Sequence, residues 1–209
     1  MIKCGGAVEK YRPPCDNIQK NSHAFCAMRK AAVQYRISAT EKRGYGKMIV
    51  RKLTENDIGR CLEIYNYYIE ETTVSFEEEP LAYDAFAARV GRISASYPFV
   101  VAEEDGVVVG YAYLDRFHER SAYRFTADLS IYLDKNCLAR GTGGMLLEET
   151  EKLGAEMGIT NIISLVTGEN ARSVAFHEKH GFKQVGCLEK VGVKFGKVLD
   201  VFYFQKSIG

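Results

Sequence analysis

The chain has 209 residues, of which 46% are hydrophobic and 26% are charged, and its formal net charge at pH 7 is +1. This length and composition suit one globular domain of ordinary size with a short appendage. The small net charge gives no support for binding to nucleic acid or to a membrane surface. No apolar run approaches the roughly 20 residues that span a bilayer. We therefore expect no nucleic-acid partner and no membrane partner.

The cysteines are scattered singly, at Cys4, Cys15, Cys26, Cys61, Cys137 and Cys187. None of them forms the closely spaced C-x-x-C pair that zinc sites use, and their spacing does not suggest a disulfide framework. The N-terminus also lacks the basic-then-apolar pattern of an export signal. We therefore expect reduced thiols, a cytoplasmic protein and no metal.

Residues 1–47 differ from the rest of the chain. They carry three cysteines, the pair Pro13-Pro14 and no sustained hydrophobic period. We expect an N-terminal extension over residues 1–47, poorly ordered or not translated in the native protein, followed by one domain over residues 48–209. Under the second hypothesis Met48 is the biological start, and a native peptide that spans Lys47 and Met48 would contradict it.

The first elements of the domain are predicted from patterning. A strand begins at Met48, and Thr54 with acidic residues behind it begins a helix over residues 55–70. A loop over residues 71–80 leads to a second helix over residues 81–93. Two apolar runs then flank Asp105-Gly106, a dipeptide that is typical of tight β-hairpins.

The second half continues the alternation of strands and helices. The predicted elements are a polar loop (115–122), a strand (123–133), a glycine-rich turn (136–144), a helix (142–157), a strand (159–167), a helix (170–180) and a hairpin of two strands (184–191 and 198–205). Gly181 suits a left-handed cap at the end of the last helix. This alternation predicts an α/β (α+β) fold.

The glycine-rich turn is the central chemical feature. Leu138-Ala-Arg-Gly-Thr-Gly-Gly144 lies between a strand and a helix, and glycines let backbone N–H groups approach a ligand closely. The positive end of the helix dipole then favours a phosphate or pyrophosphate. The turn lacks the lysine of a Walker loop, and Leu146 stands where a Rossmann turn has its last glycine. A plain helix entrance is the alternative.

Two motifs together resemble the GNAT superfamily of acetyltransferases. Leu138-Ala-Arg-Gly-Thr-Gly143 matches both glycines of its pyrophosphate turn, [QR]-x-x-G-x-[GA], and departs from it at Leu138. The segment from Asn170 to Phe182 is similar to its second signature, an Asn-started helix that ends in Gly-Phe. The similarity is greatest to the phosphinothricin and methionine sulfone or sulfoximine acetyltransferases. It rests on segments such as Thr72-Thr-Val-Ser-Phe76 and Phe176-His-Glu178, and it extends over nearly all of residues 48–205.

The resemblance implies a GNAT fold, with a mixed, twisted sheet that splits between its fourth and fifth strands and has flanking helices. It implies acetyl-CoA as co-substrate, with pantetheine bound in the split at the backbone of Ile131 and Leu133. The expected pyrophosphate contacts are Ala139, Arg140, Gly141, Thr142, Gly143 and Gly144. Relatives of this kind are homodimers, so a homodimer is expected here.

The resemblance also suggests catalytic roles. Asp128 occupies the strand position where the family carries a glutamate proposed as base, and His177 occupies the position of a thiolate acid. The expected oxyanion donor is a backbone N–H of Ile131 or Leu133. Asp128 is alternatively a structural or simply exposed strand carboxylate, and His177 is alternatively structural. Asn170 and Ser173 are expected on the cofactor arm, although Asn170 also suits a helix N-cap.

The acceptor is expected to be a small molecule with an amine and a carboxylate, which calls for cations and shape-setting aromatic side chains. The candidate acceptor-binding residues are Phe76, Phe117, His118, Arg120, Tyr123, Arg124, Lys194 and Phe195. Two alternative functions are an acetyltransferase for protein N-termini or lysines and a non-catalytic acyl-CoA-binding sensor.

Overall fold

A computed structural model of the chain describes residues 47–208. The extension predicted over residues 1–47 lies, except for Lys47, outside this part of the chain. The strands are β1 (Met48–Lys52), β2 (Phe99–Glu104), β3 (Val107–Arg116), β4 (Thr126–Leu133), β5 (Asn161–Thr167), β6 (Lys183–Lys194) and β7 (Lys197–Ser207). The helices are α1 (Ile58–Glu71), α2 (Tyr83–Ser94), α3 (Thr142–Glu156) and α4 (Ala171–Lys179).

The seven strands form one mixed sheet in the order β1-β2-β3-β4-β5-β7-β6. All neighbours run antiparallel except β4 and β5, which are parallel. Helix α3 makes the long connection that a parallel pair requires. The predicted α/β fold with a mixed sheet is therefore confirmed.

Helices cover both faces of the sheet. On one face, the apolar sides of α1 and α2 bury Ile64, Ile69 and Phe86 against strands β2 and β3. On the other face, α3 buries Leu146 and Leu147. Side chains alternate between the faces along a strand, so successive residues of β4 belong to different layers. The side chain of Asp128 therefore lies on the opposite face of the sheet from the side chains of its odd-numbered neighbours.

Local turn chemistry confirms several sequence predictions. Thr54 begins a short 3-10 turn (Glu55–Asp57) before α1, with a capping box between Thr54 and Asp57. Asp105 and Gly106 have φ angles of 50° and 84°, which a tight hairpin turn requires. Gly181 has a φ of 84° after α4, as predicted for a left-handed cap.

The start of the fourth strand was predicted too early. Residues 121–123 form a 3-10 turn (Ser121–Tyr123), and the Arg124 amide donates to the Ser121 carbonyl. This hydrogen bond closes the turn, so β4 begins only at Thr126. The last hairpin is longer than predicted because β6 continues through bulges up to Lys194. Among the described helices, none is long and apolar enough to cross a membrane.

Candidate active site

The fourth and fifth strands separate after a short paired stretch. Their parallel pairing covers three positions and ends at Asp128 opposite Ile163. Strand β4 continues to Leu133 and β5 continues to Thr167 without pairing further with each other. The predicted split between the fourth and fifth strands is thus present, and it opens a cleft towards the carboxyl ends of both strands.

Backbone groups of both strands face this cleft. The Asp134 amide donates to the Val109 carbonyl at 2.8 Å, so the even-numbered residues of β4 form the hydrogen-bonded pairs with β3. The N–H and C=O groups of Ile131 and Leu133 consequently point away from β3 and into the split. The Ile208 amide donates to the Thr160 carbonyl, so the even-numbered residues of β5 form the hydrogen-bonded pairs with β7. The backbone N–H and C=O groups of the odd-numbered residues of β5 therefore point into the split.

The cleft has a volume of about 600 Å³. Strand side chains from Leu129 to Leu133 and from Ser164 to Thr167 form its walls, and the turn before α3 forms one end. Helix α4 closes another side. Of the predicted cofactor residues, the cleft is lined by Ile131, Leu133, Ala139, Gly141, Gly143, Gly144, Asn170 and Ser173.

The glycine-rich turn has the backbone geometry that close approach requires. Gly141 has a φ of 87° and Ala139 has a φ of 64°, so the chain bends sharply into α3. A Cβ on Gly143 would lie 3.2 Å from the Phe176 ring, and one on Gly144 would lie 3.1 Å from the His180 ring. The Gly144 amide donates to the Gly141 carbonyl at 3.0 Å. The amides of Thr142 and Gly143 come before the first backbone hydrogen bonds of the helix and are left as donors for an anionic ligand beside the cleft.

Two other residues of the predicted turn, Arg140 and Thr142, do not line the cleft. Arg140 forms an ion pair with Glu104 at 3.2 Å and donates to the Asn136 carbonyl. Thr142 is 1% exposed, and its Oγ1 has no hydrogen-bond partner. Neither residue lines the cleft, whereas Arg172 and Lys179 do. These two cations of α4 add positive charge to the cleft.

Asn170 begins α4 as its N-cap. Its side-chain oxygen accepts a hydrogen bond from the Ser173 amide at 3.1 Å, so the alternative expected for this residue, helix capping, is present. Both residues also line the cleft. The N-cap of α4 therefore also forms part of the cleft wall.

His177 lies in the cleft wall, and its ring is only 5% exposed. Its Nδ1 is 2.7 Å from the Ser173 carbonyl oxygen and its Nε2 is 2.9 Å from the Ser164 Oγ. The ring stacks on Phe204 and meets Phe182 edge-on. Burial lowers the pKa of His177, against an opposing effect of the Ser173 carbonyl, so the neutral ring is the resting form near pH 7.

Asp128 lies on the α1 and α2 face of β4, opposite Asp115 of β3. Its Oδ1 is buried and has no hydrogen-bond partner. Burial, with a smaller contribution from the Asp115 charge, raises the pKa of Asp128 to about 7. A carboxyl with that pKa is suited to take a proton from an amine near neutral pH.

The candidate acceptor residues fall into two groups. In the first group, Tyr123 packs against Phe117 and His118, with ring centroids 5.6 Å and 4.9 Å apart. The Arg120 amide donates to the His118 ring. Arg124 stacks on the neighbouring Phe125 ring.

The second group joins the last hairpin to the loop after α1. The Lys194 ammonium donates to the Ser75 carbonyl at 2.6 Å and is 4% exposed. Phe76 lies against Gly192, where a Cβ would meet the ring at 2.2 Å. Phe195 is exposed, with a φ of 51° in the hairpin turn. The Lys194 ammonium is thus hydrogen-bonded to the loop after α1, whereas the first group surrounds the start of β4.

Sequence reasoning missed several residues of the cleft, among them Tyr68, Phe176 and Ser164. Tyr68 donates its hydroxyl to the Leu133 carbonyl at 2.6 Å, and Phe176 packs beside Gly143. Ser164 reaches His177. A detectable signal existed only for Ser164, because a lone hydroxyl interrupts the apolar run Ile162-Ile-Ser-Leu-Val166.

These residues fit a coenzyme A thioester. The split offers strand backbone to an amide-containing pantetheine arm, and the turn before α3 offers amides and close approach to a pyrophosphate. Side chains at Gly143 and Gly144 would occupy that end. Within residues 47–208, no group of three or more His, Cys, Asp and Glu side chains is arranged to hold a metal ion. Fold and site together define an acyl-CoA-dependent acyltransferase.

Comparison with known proteins identifies the family. Residues 50–202 match the family described as "Acetyltransferase (GNAT) domain". Because this match covers most of the chain, the protein belongs to the GNAT acetyltransferases. The resemblance inferred from the two sequence motifs is therefore confirmed, and the protein is an N-acetyltransferase.

Named relatives agree with this assignment. Phosphinothricin N-acetyltransferase of Alcaligenes faecalis is 35% identical over 76% of this chain and 82% of its own length. L-methionine sulfoximine/L-methionine sulfone acetyltransferase of Salmonella typhimurium is 29% identical over 77% of this chain and 95% of its own. A crystal structure of the phosphinothricin acetyltransferase of Sinorhizobium meliloti, in complex with acetyl-CoA, is 32% identical. It has a TM-score of 0.75 and covers 78% of this chain and 89% of its own. These neighbours support acetyl-CoA as the co-substrate.

Proposed function

We propose that the protein acetylates the amine of a small amino-acid-like acceptor of the phosphinothricin, methionine sulfone or methionine sulfoximine type. The observation that carries this proposal is the split between β4 and β5, with Asp128 at its apex and a glycine-rich turn at its end. The names of the two relatives support the acceptor class. A small acceptor suits the aromatic group formed by Phe117, His118 and Tyr123.

In the proposed mechanism, acetyl-CoA and the acceptor are bound together, and the amine attacks the thioester directly. Acetyl-CoA supplies the acetyl group in activated form. Asp128 removes the proton of the ammonium, directly or through a water molecule, because its pKa of about 7 lies close to that of an α-amine. Backbone N–H groups of Ile131 or Leu133 stabilise the oxyanion, and one such donor lowers the barrier by roughly 3 kcal/mol in other acyl transfers.

His177 is proposed to return a proton to the departing thiolate. Its position in the cleft wall supports this role. The predicted acceptor contacts of Phe76, Arg120, Arg124, Lys194 and Phe195 also remain proposals. So do a homodimer and a cytoplasmic location.

An acetyl-transfer screen tests the proposal. The protein is incubated with acetyl-CoA and phosphinothricin, methionine sulfone, methionine sulfoximine, free amino acids, polyamines or a peptide with a free N-terminus. We expect acetylated product, identified by mass spectrometry, with the first three acceptors. In the matched control, Asp128→Asn should lower kcat/KM on the order of 100-fold while acetyl-CoA binding is retained.

The same screen separates the other functions. Turnover of the peptide alone would favour a protein acetyltransferase, and saturable acetyl-CoA binding without any turnover would favour a sensor. Initial rates measured against both substrates test the ternary complex. Intersecting double-reciprocal lines are expected, and parallel lines would indicate a covalent acetyl-enzyme instead.

A further inference from the structure

The proton on the His177 ring can be located from its partners. A carbonyl oxygen only accepts hydrogen bonds, so the 2.7 Å contact with the Ser173 carbonyl places the proton on Nδ1. Burial keeps the ring neutral, and Nε2 is then an acceptor. The hydroxyl of Ser164, 2.9 Å away, must be the donor to Nε2. Both ring nitrogens are thereby engaged by groups of the protein.

The Ser164 hydroxyl has a second acceptor at the apex of the split. Its Oγ is 3.4 Å from the Leu129 carbonyl oxygen, and that carbonyl points away from β3 like those of Ile131 and Leu133. A serine hydroxyl has one proton and rotates freely about its Cβ–Oγ bond. In the resting protein the hydroxyl donates to His177 Nε2, the closer acceptor, and by rotation it can point towards the cleft. Ser164 and His177 both line the cleft.

From this geometry we propose that Ser164 is a further catalytic residue, the link through which His177 exchanges a proton with the reacting groups. The inference rests on the proposed acetyl transfer. When the neutral amine attacks, nitrogen gives its proton to Ser164 Oγ while the Ser164 proton passes to His177 Nε2. When the C–S bond breaks, the Nε2 proton returns to Ser164 and the hydroxyl protonates the thiolate. The amine loses one proton, coenzyme A gains one, and both side chains are restored.

The surroundings of the ring favour this role over direct proton transfer by His177. Phe204 stacks on one side of the imidazole and Phe182 meets it edge-on, so the ring is held in one orientation. That orientation directs Nε2 at Ser164. A direct transfer to sulfur would require the ring to leave the Ser173 carbonyl or the Ser164 hydroxyl, which leaves a buried polar group unpaired at a cost of about 1–3 kcal/mol.

A double-mutant cycle tests the link. Acetylation is measured for the wild type, Ser164→Ala, His177→Ala and the double variant, alongside acetyl-CoA affinity by calorimetry. We expect kcat to fall on the order of 100-fold in each single variant, with acetyl-CoA affinity within about twofold of wild type. The double variant should be no slower than His177→Ala, because Ser164 acts through His177. Ser164→Thr, which keeps a hydroxyl, should retain most of the rate.

Two results would overturn the proposal: a wild-type rate in Ser164→Ala, or a double variant in which the two losses multiply. Nitrogen NMR of the free protein gives an independent readout, since the chain has only four histidines and His177→Ala identifies the signal. We expect protonated Nδ1 and unprotonated Nε2, with the Nε2 shift moving in Ser164→Ala. A protonated Nε2 at neutral pH would refute the link. An inactive wild type would contradict the proposed function and leave the NMR test intact.

Discussion

Burial is the main cause of the raised pKa of Asp128, and the Asp115 carboxylate across the sheet adds to it. Asp128 forms a hydrogen-bonded strand pair with Asp115, in which the two Cα atoms are about 5.5 Å apart and the side chains share a face. Burial opposes ionisation of Asp115, but the bidentate ion pair with Arg92, at 3.0 Å and 2.7 Å, outweighs it and lowers the pKa of Asp115. A fixed negative charge therefore faces Asp128 and favours its protonated form.

Removing the Asp115 charge should change the pH dependence of acetylation. Asp128 works as a base only when ionised, so kcat/KM is expected to rise with pH through about 7. In Asp115→Asn the pKa of Asp128 falls, and the acid limb of the profile moves to lower pH. Rates measured between pH 5.5 and 8 with the same acceptor test this, because the titration of the acceptor amine is common to both proteins.

The control for this experiment is Asp84→Asn, which removes an exposed carboxylate at the start of α2. This variant should have the same pH profile of kcat/KM as the wild type. Superimposable pH profiles for Asp115→Asn and the wild type would show that Asp115 does not affect the pKa of Asp128.

Some residues of the site could be predicted from the sequence and others could not. Asp128 and His177 were predicted because the family resemblance assigns a role to the position of each. Ser164 was not found, since its meeting with His177 joins β5 to α4 and depends on the ring being buried against Phe204. A serine in an apolar strand indicates a buried hydroxyl with a partner, but it does not identify that partner.

Among the elements, those with local causes were predictable from sequence. The hairpin at Asp105-Gly106, the cap at Thr54 and the left-handed Gly181 follow from residues close together in the chain. The separation of β4 from β5 does not, because the length of a parallel pairing depends on how helices on both faces pack. The split was predictable only through resemblance to a family.

The turn before α3 leaves little room for a side chain at Gly143. In Gly143→Val the added side chain meets the Phe176 ring, 3.2 Å from the Cβ position, and fills the end of the cleft. We expect acetyl-CoA binding to be lost, with a dissociation constant raised on the order of 10-fold at the least, equivalent to 1.4 kcal/mol. Calorimetric titration with acetyl-CoA measures this directly.

Gly59→Val is the matched variant, since Gly59 lies in α1 with nothing within 4 Å of its Cβ position. It carries the same cost of a β-branched residue in a helix and should bind acetyl-CoA normally. If both variants bound equally well, the turn would not be the pyrophosphate site.

For the molecule as a whole, exposed apolar side chains concentrate on the last hairpin. Of the thirteen large hydrophobic residues that are exposed in residues 47–208, six lie between positions 185 and 198: Val185, Leu188, Val191, Val193, Phe195 and Val198. Val193 and Val198 are direct partners in the β6–β7 ladder and are 63% and 60% exposed. An exposed apolar group of this kind marks an interaction surface.

We expect this hairpin surface to be the homodimer interface. A second copy is the natural partner, because a twofold interface needs one self-complementary surface, and the paired valines supply apolar area on both sides. The double variant Val193→Glu/Val198→Glu would place like charges in that interface. Light scattering on size-exclusion fractions should show a dimer for the wild type and a monomer for the variant. Val107→Glu changes an exposed valine at the β2–β3 hairpin and should remain dimeric. A monomeric wild type at micromolar concentration, or a double variant that still dimerises, would mean that these strands do not join the subunits.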